Sequence, residues 1–514
     1  TGYTAVLTGV TVVVTNNLTL SGYGGLIVSN GSLQVGGDVT LDSSDTFGHC
    51  CLRFHAGPGA DLTVASNVTI KQSIFYYHSD LTNPTTLNIG GDLSLQNLRA
   101  KLYVYSAATS SVPPDYGALV AVSGKVSVAP GWIYPVSHAT NGASPLFRME
   151  NLFVATNAGF NADALGHAGG AWNQNGWGPG GGKMNGSGGF RGGGGGYGGK
   201  GGYADAVYGL TYGSSNAPLQ PGSGGGGRNW NDGSGGYAGG LIRLEVSQTA
   251  SISSHYSITN MIARGVGAGH HGAGSGGGIR LTCRTLAGTN ANFCVDGGPN
   301  TGDAAGPGGG GRMAIWWNFD QRAGAWTFAA NPGARANFGG AVGTGTIVFA
   351  RLPTAPVITN NPATDLSYYS ATIGGTLVST GTEFTVAAAY WGRQDGGTNM
   401  GLWANTNAFA GIQAEGAVLA TNLAGLDSGS NYFYRFVASN AVGETWAPAT
   451  AQFRTIAGVP VISNAAFGAT NITYASAALN GELVSTGTAP ATVSVYWGPA
   501  DGITNAGAWA NTND

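Results

Sequence analysis

Charged residues are scarce in this chain of 514 residues, and their scarcity argues against several classes of protein. Asp, Glu, Lys and Arg together make up 9% of the sequence, against roughly 25% in ordinary soluble domains. The net charge is −3 and no basic run alternates with aromatic residues, so we expect no nucleic-acid partner. The carboxylates are too scattered to suggest the paired acids of a glycan-degrading enzyme, so we expect no catalytic activity.

Long apolar runs are absent from the sequence, and cysteine is rare. No segment approaches the 18 to 20 or so consecutive apolar residues of a membrane-spanning helix, so we predict no membrane span. The cysteines are Cys50, Cys51, Cys283 and Cys294, and none of them has Cys-x-x-Cys spacing. We therefore predict no metal and no cofactor. A disulfide between Cys283 and Cys294 is favoured over buried free thiols, and the pairing of Cys50 and Cys51 stays open.

Glycine, by contrast, is abundant. It accounts for 92 of the 514 residues, more than twice the usual share of about 7%. Because 42% of the chain is hydrophobic, it is not a disordered low-complexity sequence. The glycine-rich stretch from residue 166 to about residue 311 is interrupted by aromatic residues, including Trp172, Trp177, Tyr197 and Trp230. These aromatics could contact glycans or a neighbouring molecule, or they could seal layers of glycine backbone, and both interpretations stay open.

A nine-residue phrase recurs through the first 150 residues. It is apolar at positions one, three, seven and nine and polar at the corner between them, and it occupies residues 12–20, 33–41, 62–70, 87–95 and 120–128, with a shortened copy at 147–154. The copies begin 21 to 33 residues apart. Each copy predicts two short strands whose apolar faces are too small to be buried alone, so the units must stack as a β-solenoid. The residues predicted to face inward are Val12, Val14, Leu33, Val35, Leu62, Val64, Leu87 and Ile89.

The sixth position of the phrase should stack from coil to coil. Its residues are Asn17, Asp38, Asn67, Asp92 and Lys125. Asparagine and aspartate are the residues that a tight corner favours, and we prefer this turn interpretation. A calcium or saccharide site is the alternative.

The strand signal returns inside the glycine-rich region in a new form, a glycine cluster followed by an alternating strand. It occurs at residues 239–244, 277–281, 310–315 and 343–349, at intervals of 33 to 38 residues. We therefore assign residues 1–165 to regular coils and predict that the solenoid continues through 166–352, with long polyproline-II-like glycine loops on one side. Arg243 and Arg280 occupy equivalent positions in two copies, where we expect them to face solvent.

A boundary falls at Pro353-Thr354-Ala355-Pro356. Beyond it, residues 356–359 return at 460–463, residues 377–382 return at 483–488, and much of 390–407 returns at 496–513. This repetition predicts one module at 356–455 and part of a second at 460–514, which stops after the equivalent of Asn407. We expect a longer native chain to supply the remaining strands, with complementation by a neighbouring molecule as an alternative.

Two resemblances carry the interpretation further. Residues 426–443 resemble the fibronectin type III family, because Leu426 stands six residues before Tyr432, as in that family's tyrosine corner, and an alternating strand follows. The resemblance implies β-sandwich modules and a Tyr432 phenol bonded back to the backbone. Residues 1–352 resemble the glycine-rich β-helical regions of large secreted bacterial surface and adhesin-like proteins, through the phrases at 261–265, 277–281 and 310–315.

These resemblances imply an all-β protein that is secreted or displayed on a cell surface. The function we expect from them is that of an extracellular structural protein, whose partners are copies of itself in a fibre or surface layer. The alternatives are a glycan-binding adhesin that uses the loop aromatics and, from a different class, a β-helix enzyme that degrades polysaccharides.

Overall fold

The computed structural model describes residues 4–43, 51–108, 115–184, 191–203, 208–228, 233–255, 258–302, 305–335 and 341–514. Within these ranges the protein is all-β, with no α-helix and two short 3-10 turns. The chain divides into two compact units, Thr1–Leu352 and Pro353–Asp514. The first unit is a solenoid-like array of 24 strands in its described part.

The strands of the solenoid-like unit are, in chain order, β1 (Thr4–Thr8), β2 (Thr11–Val14), β3 (Leu18–Ser21), β4 (Gly25–Val35), β5 (Val39–Asp42), β6 (Cys51–Ala56), β7 (Leu62–Val64), β8 (Val68–Lys71), β9 (Ile74–His78), β10 (Thr86–Ile89), β11 (Leu93–Leu95), β12 (Lys101–Tyr105), β13 (Ala118–Val128), β14 (Gly131–Val136), β15 (Pro145–Val154), β16 (Ala158–Asn161), β17 (Leu241–Ile252), β18 (Met261–Ile262), β19 (Gly278–Thr289), β20 (Asn292–Cys294), β21 (Arg312–Trp317), β22 (Phe319–Ala323), β23 (Thr327–Ala329) and β24 (Thr346–Arg351).

Parallel pairing sorts these strands into three ladders, because successive coils contribute strands to the same three columns. Ladder 1 contains β1, the first half of β4, β6, β9, β12, β14, β16, β18, β20 and β23. Ladder 2 contains β2, the second half of β4, β7, β10, the first halves of β13, β15, β17 and β19, β21 and β24. Ladder 3 contains β3, β5, β8, β11, the second halves of β13, β15, β17 and β19, and β22.

The apolar positions of the nine-residue phrase face the interior, as predicted. Leu33, Leu62 and Leu87 have no exposed surface, and Val35, Val64 and Ile89 are also buried. Val12 and Val14, in the first coil, are partly buried and pack against the same core. Each fully buried side chain of this kind contributes about 1.5–3 kcal/mol to folding, so the stacked coils share a core that no single coil could form.

The sixth-position side chains form a hydrogen-bonded ladder along one corner of the coils. Each side-chain oxygen accepts a bond from the backbone N–H of the equivalent residue one coil later, over 2.7–2.9 Å, in the order Asn17, Asp38, Asn67, Asp92, Lys125. The bond from the Asn67 backbone is the main cause that lowers the pKa of Asp38 below its ordinary value. These oxygens serve the backbone, as the turn interpretation predicts.

The glycine-rich connections all leave from ladder 1 and return at ladder 2. They follow β16, β18, β20 and β23 and precede β17, β19, β21 and β24, and they cover residues 162–240, 263–277, 295–311 and 330–345. We refer to the described parts of these four connections as the glycine lobe. Because all four emerge at the same corner of successive coils, they lie against one another rather than apart.

Backbone hydrogen bonds between the segments of the glycine lobe recur every third residue. The N–H of Gly236 donates to the carbonyl of Gly272 over 2.8 Å, and the N–H of Gly239 donates to that of Ser275 over 3.0 Å. The segments are packed so closely that a Cβ placed on Gly225 would lie 1.9 Å from the carbonyl oxygen of Gly272. Glycine is therefore required here because there is no room for a side chain.

The second unit contains β25 (Val357–Thr364), β26 (Ser370–Ser379), β27 (Val386–Gly392), the 3-10 turn η1 (Met400–Leu402), β28 (Asn405–Ala408), β29 (Val418–Ala424), β30 (Asn431–Ser439), β31 (Glu444–Trp446), β32 (Ala451–Arg454), β33 (Val461–Thr470), β34 (Ala478–Ser485), β35 (Val495–Trp497), the 3-10 turn η2 (Ala506–Ala508) and β36 (Asn511–Asn513). Strands β25, β26 and β29 form one antiparallel sheet, and β27, β28, β30, β31 and β32 form another. Residues of both sheets, such as Ile373 and Phe436, share one core.

The two copies within the second unit differ in burial. In the first copy the N–H of Asp427 donates to the phenol oxygen of Tyr432 over 2.9 Å, which is the backbone bond predicted for this tyrosine. Ile358 is fully buried there, whereas its counterpart Ile462 in the β33–β34 hairpin is 54% exposed. The difference arises because β29 pairs with β26 in the first copy, and β33 and β34 form a sheet of two strands.

Candidate functional site

The aromatic residues that the sequence singled out in the glycine-rich region differ in their exposure to solvent. Trp172 and Trp177 are 57% and 46% exposed, whereas Tyr197 is fully buried. Tyr197 lies against Tyr212, with ring centroids 4.8 Å apart, and beneath the guanidinium of Arg312 at 5.5 Å. It therefore seals the glycine lobe and cannot contact a ligand. Trp230 lies outside the described residues.

The disulfide that the sequence favoured between Cys283 and Cys294 is not formed. Cys283 and Cys294 are both free thiols, because they lie in different ladders and face different ways. Cys283 is buried in the core beside Val246, its neighbour in ladder 2. Cys294 belongs to ladder 1, where Phe293 takes the inward position. Burial is the main cause that raises the pKa of each thiol to about 12, so both stay protonated and unreactive at neutral pH.

Aromatic side chains gather instead on the outer face of ladder 1, on the adjacent strands β6, β9, β12 and β14. Each of these strands alternates, so that residues such as Phe54, Phe75, Leu102 and Ile133 fill the core. The residues between them point outward. We refer to six of the outward residues as the aromatic strip: His55, Tyr76, His78, Tyr103, Tyr105 and Tyr134.

The register of the four strands brings these rings into two columns. Tyr76, Tyr103 and Tyr134 are directly opposite one another, with ring centroids 5.2 and 4.3 Å apart. His55, His78 and Tyr105 form the parallel column, at 4.1 and 4.0 Å. Ring planes within a column differ by only 7–16°. Rings that are nearly parallel at these distances stack face to face. All six side chains stay partly exposed, and the hydroxyl groups of Tyr103 and Tyr134 interact with each other.

Burial keeps the strip uncharged near neutral pH. The pKa of His78 is lowered to about 4 by burial and, to a smaller extent, by His55 and Arg53. Burial followed by the charge of Arg53 also lowers the pKa of His55. Burial and the neighbouring phenols raise the pKa of Tyr103 to about 12. The strip therefore presents neutral phenols and imidazoles, which both donate and accept hydrogen bonds.

The cations on this face lie at its margins. The guanidinium of Arg53 caps the first column, 4.6 Å from the centroid of the Tyr76 ring. Lys101 precedes Tyr103 on the same side of β12 and pairs with Trp132. None of the outward residues on these four strands is acidic. Strand spacing and the two-residue repeat give this face dimensions of roughly 14 by 13 Å.

The sequence analysis missed this strip, although a signal for it was present. Residues 101–105 and 131–136 alternate aromatic and aliphatic residues, and residues 74–78 contain three consecutive aromatics, a pattern that predicts strands with two apolar faces. These strands lie between copies of the nine-residue phrase, at distances that vary from coil to coil. Their alignment with one another could not be read without the register of the other two ladders.

Comparison with known proteins adds little. No protein-family model and no curated protein sequence matches the chain. Among solved structures, one of the sensor domain of the anti-sigma factor RsgI4 in Pseudobacteroides cellulosolvens is 16% identical and covers 20% of this chain and 96% of its own, with a TM-score of 0.16. A solution structure of that sensor domain, also 16% identical, covers 20% of this chain and 75% of its own, with a TM-score of 0.15. Likeness of this size assigns neither a fold nor a function.

Two further observations bear on the site. In the part of the chain that the structure describes, no three His, Cys, Asp or Glu side chains come together in a group that could hold a metal ion. No helix among the described residues is long and apolar enough to cross a membrane.

Proposed function

We propose that this protein is an extracellular structural protein whose aromatic strip binds linear, uncharged polysaccharides. The observation that carries the proposal is the pair of stacked columns on ladder 1. They hold hydrogen-bonding ring edges at the spacing of the strands, about 4.8 Å. A linear polysaccharide offers hydroxyl groups at regular intervals in the same way, so one chain can meet several rungs of the strip at once.

The rigidity of the strip favours binding. Rings stacked on both sides, such as Tyr103 between Tyr76 and Tyr134, have lost their rotational freedom before a ligand arrives. Ordering such side chains on binding otherwise costs about 0.5–1.5 kcal/mol each. Tyrosine in particular provides a large amphipathic contact at low entropic cost. The stacked columns thus form a prepared surface for a weakly polar, uncharged polymer.

The absence of acidic outward residues on these strands favours a neutral ligand over a cationic one. The rings themselves are uncharged, and Arg53 and Lys101 stand at the margins of the strip. Trp172 and Trp177, the exposed tryptophans of the glycine lobe, provide no comparable array, because neither ring stacks on another aromatic ring of the described residues.

The finer features of the fold support an extracellular scaffold. We infer that the glycine lobe is built of polyproline-II-like segments. The backbone hydrogen bonds between its segments repeat every third residue, and a polyproline-II helix has three residues per turn. We also infer that residues 356–455 form a fibronectin type III-like sandwich and residues 460–514 part of another. The support is the Tyr432 corner bond and the two antiparallel sheets around one core.

Self-association into a fibre or surface layer is the second candidate function. It is favoured by the low charge of the chain, in which 9% of the residues are charged and the net charge is −3, because copies can approach one another without strong repulsion. Sedimentation velocity over a range of concentrations would reveal such assembly.

The polysaccharide proposal is tested by replacing Tyr76, Tyr103 and Tyr134 together by phenylalanine. The change keeps the stacked rings and removes three hydroxyl groups. Each lost hydrogen bond should cost about 0.5–1.5 kcal/mol, so affinity for the polymer should fall at least roughly tenfold. Affinity electrophoresis in gels containing xylan or glucomannan measures the effect, with gels containing branched dextran for comparison.

The matched control is Tyr369→Phe, which removes the hydroxyl of a tyrosine that is 64% exposed in the second unit. It should bind both linear polymers like the unaltered protein. The melting temperature of the triple variant should stay within about 5 °C of the original, because each of the three changes at a partly exposed position alters stability by about 0.5 kcal/mol. Equal retardation of the triple variant and the unaltered protein in the xylan and glucomannan gels would refute the proposal.

A further inference from the structure

A groove runs along the outer face of ladder 2, away from the aromatic strip. Its volume is about 870 Å³. Its floor is a column of outward residues in register across six successive strands, namely Thr63, Asn88, Ala121, Arg148, Glu245 and Thr282. At the usual strand spacing this column is roughly 24 Å long. A groove of that length, parallel to the stacking direction and with a mostly polar floor, suits a linear polymer.

One end of the groove carries arginines and carboxylates that lie far apart in the sequence. Arg148 Nε donates to Glu245 Oε2 over 2.7 Å. Arg243 donates from Nη1 to Asp115 Oδ1 over 3.0 Å and from Nη2 to Glu245 Oε1 over 3.4 Å. The Arg243 side chain is only 6% exposed, so it does not face solvent as the sequence suggested. Asp115 and Glu245 balance the charges of Arg148 and Arg243, although the Nε of Arg243 is buried without an acceptor.

Arg280 is not balanced in this way. It pairs with Arg243 in the β17–β19 register and stands two residues before Thr282 on the same side of β19. Thr282 lines the groove, and Arg280 lies just beyond the lining residues. Its guanidinium has no hydrogen-bond or ion-pair partner among the residues that the structure describes, and its Nε is buried without an acceptor. Burial and the charge of Arg243 lower the pKa of Arg280 from its ordinary value, and the carboxylates of Glu245 and Asp115, which Arg243 already engages, oppose this lowering only in part.

An arginine that is half-buried, lies beside a second arginine and is only partly neutralised gains stability when an anion completes the arrangement. We infer that Arg280 binds the carboxylate or sulfate group of an acidic polysaccharide that lies in the ladder 2 groove. The planar fork of arginine matches such groups through two parallel hydrogen bonds. Thr282 and Asn88 are placed to meet the hydroxyl groups of the same chain. This site is separate from the aromatic strip and goes beyond the function proposed above.

The test is Arg280→Gln, assayed by affinity electrophoresis in gels containing polygalacturonate, which carries carboxylates, or heparin, which carries sulfates. Hydrogen bonds to charged groups are strong enough that affinity for the recognised polymer should fall at least roughly tenfold. The polymer that loses affinity identifies the anionic group. The matched control is Arg284→Gln, which removes the same charge from an exposed arginine at the corner of β19 between ladders 2 and 3 that bonds Gln248, and it should leave retardation unchanged.

The melting temperature of the variant distinguishes a binding role of Arg280 from a structural one. Because Arg280 makes no hydrogen bond or ion pair with the described residues, Arg280→Gln should leave the melting temperature unchanged or raise it by relieving repulsion with Arg243. The triple tyrosine-to-phenylalanine variant of the aromatic strip should bind acidic polymers normally. Loss of binding at one site can therefore be distinguished from loss of binding at the other. The inference is overturned if neither polymer retards the unaltered protein, if Arg280→Gln and Arg284→Gln behave alike, or if Arg280→Gln lowers the melting temperature by several degrees.

Discussion

Replacing Gly272 by alanine should disrupt the glycine lobe. A Cβ at this position would lie 1.9 Å from the carbonyl oxygen of Gly193, far inside van der Waals contact, and the obstruction is backbone that cannot rotate away. The N–H of Gly272 also donates to the carbonyl of Gly226 over 2.9 Å, so a shift of the segment breaks that bond as well. Overpacking of this kind costs on the order of 1–3 kcal/mol.

Amide hydrogen exchange followed by mass spectrometry measures the result. Peptides from residues 191–203, 221–228 and 263–278 should lose protection in Gly272→Ala, whereas peptides from the coils before residue 128 should not. Gly269→Ala is the matched control, because a Cβ there meets nothing within 4 Å. Equal protection in the two variants would contradict the close packing of the lobe.

Replacing Val64 by aspartate should be more damaging, because it attacks the shared core of the coils. Val64 is 1% exposed and pairs in ladder 2 with Val35 on one side and Ile89 on the other. A carboxylate there has no counter-charge among these neighbours, and burying an unpaired charge is among the few mechanisms that cost more than about 4 kcal/mol.

Circular dichroism during thermal unfolding is the measurement. Val64→Asp should melt at least roughly 10 °C lower than the original or fail to fold, while Thr63→Asp, on the exposed side of the same strand, should melt within about 2 °C of it. A melting temperature unchanged by Val64→Asp would show that the apolar face of ladder 2 does not line the core of a solenoid.

The regular features of the fold could be predicted because they repeat. The apolar pattern around Leu33, Leu62 and Leu87 identified the inward faces, since a buried strand face leaves a period of two in the sequence. The asparagine and aspartate residues at the corners predicted the turns. The structure shows why these residues occur there, because each side chain accepts a hydrogen bond from the backbone of the next coil. These features depend on residues that are close in the chain or separated by one regular interval.

The site could not be predicted in the same way, because it depends on register between strands. Tyr76 and Tyr103 become neighbours only after connections of different length bring β9 and β12 side by side. Asp115 and Arg243 are 128 residues apart, and their ion pair buries an arginine that an alternating strand would place in solvent. Cys283 and Cys294 are close in sequence, yet the turn between ladders points them in different directions.

The central claim is that the outer edge of the aromatic strip is where this protein meets a polysaccharide. Hydroxyl-radical footprinting, with oxidation of each tyrosine quantified by mass spectrometry, tests it directly in the unaltered protein with and without saturating xylan or glucomannan. Bound polymer should reduce oxidation of Tyr76, Tyr103, Tyr105 and Tyr134 severalfold and leave Trp172, Trp177 and Tyr369 unchanged. Protection of the lobe tryptophans, with the strip oxidised as before, would contradict the claim.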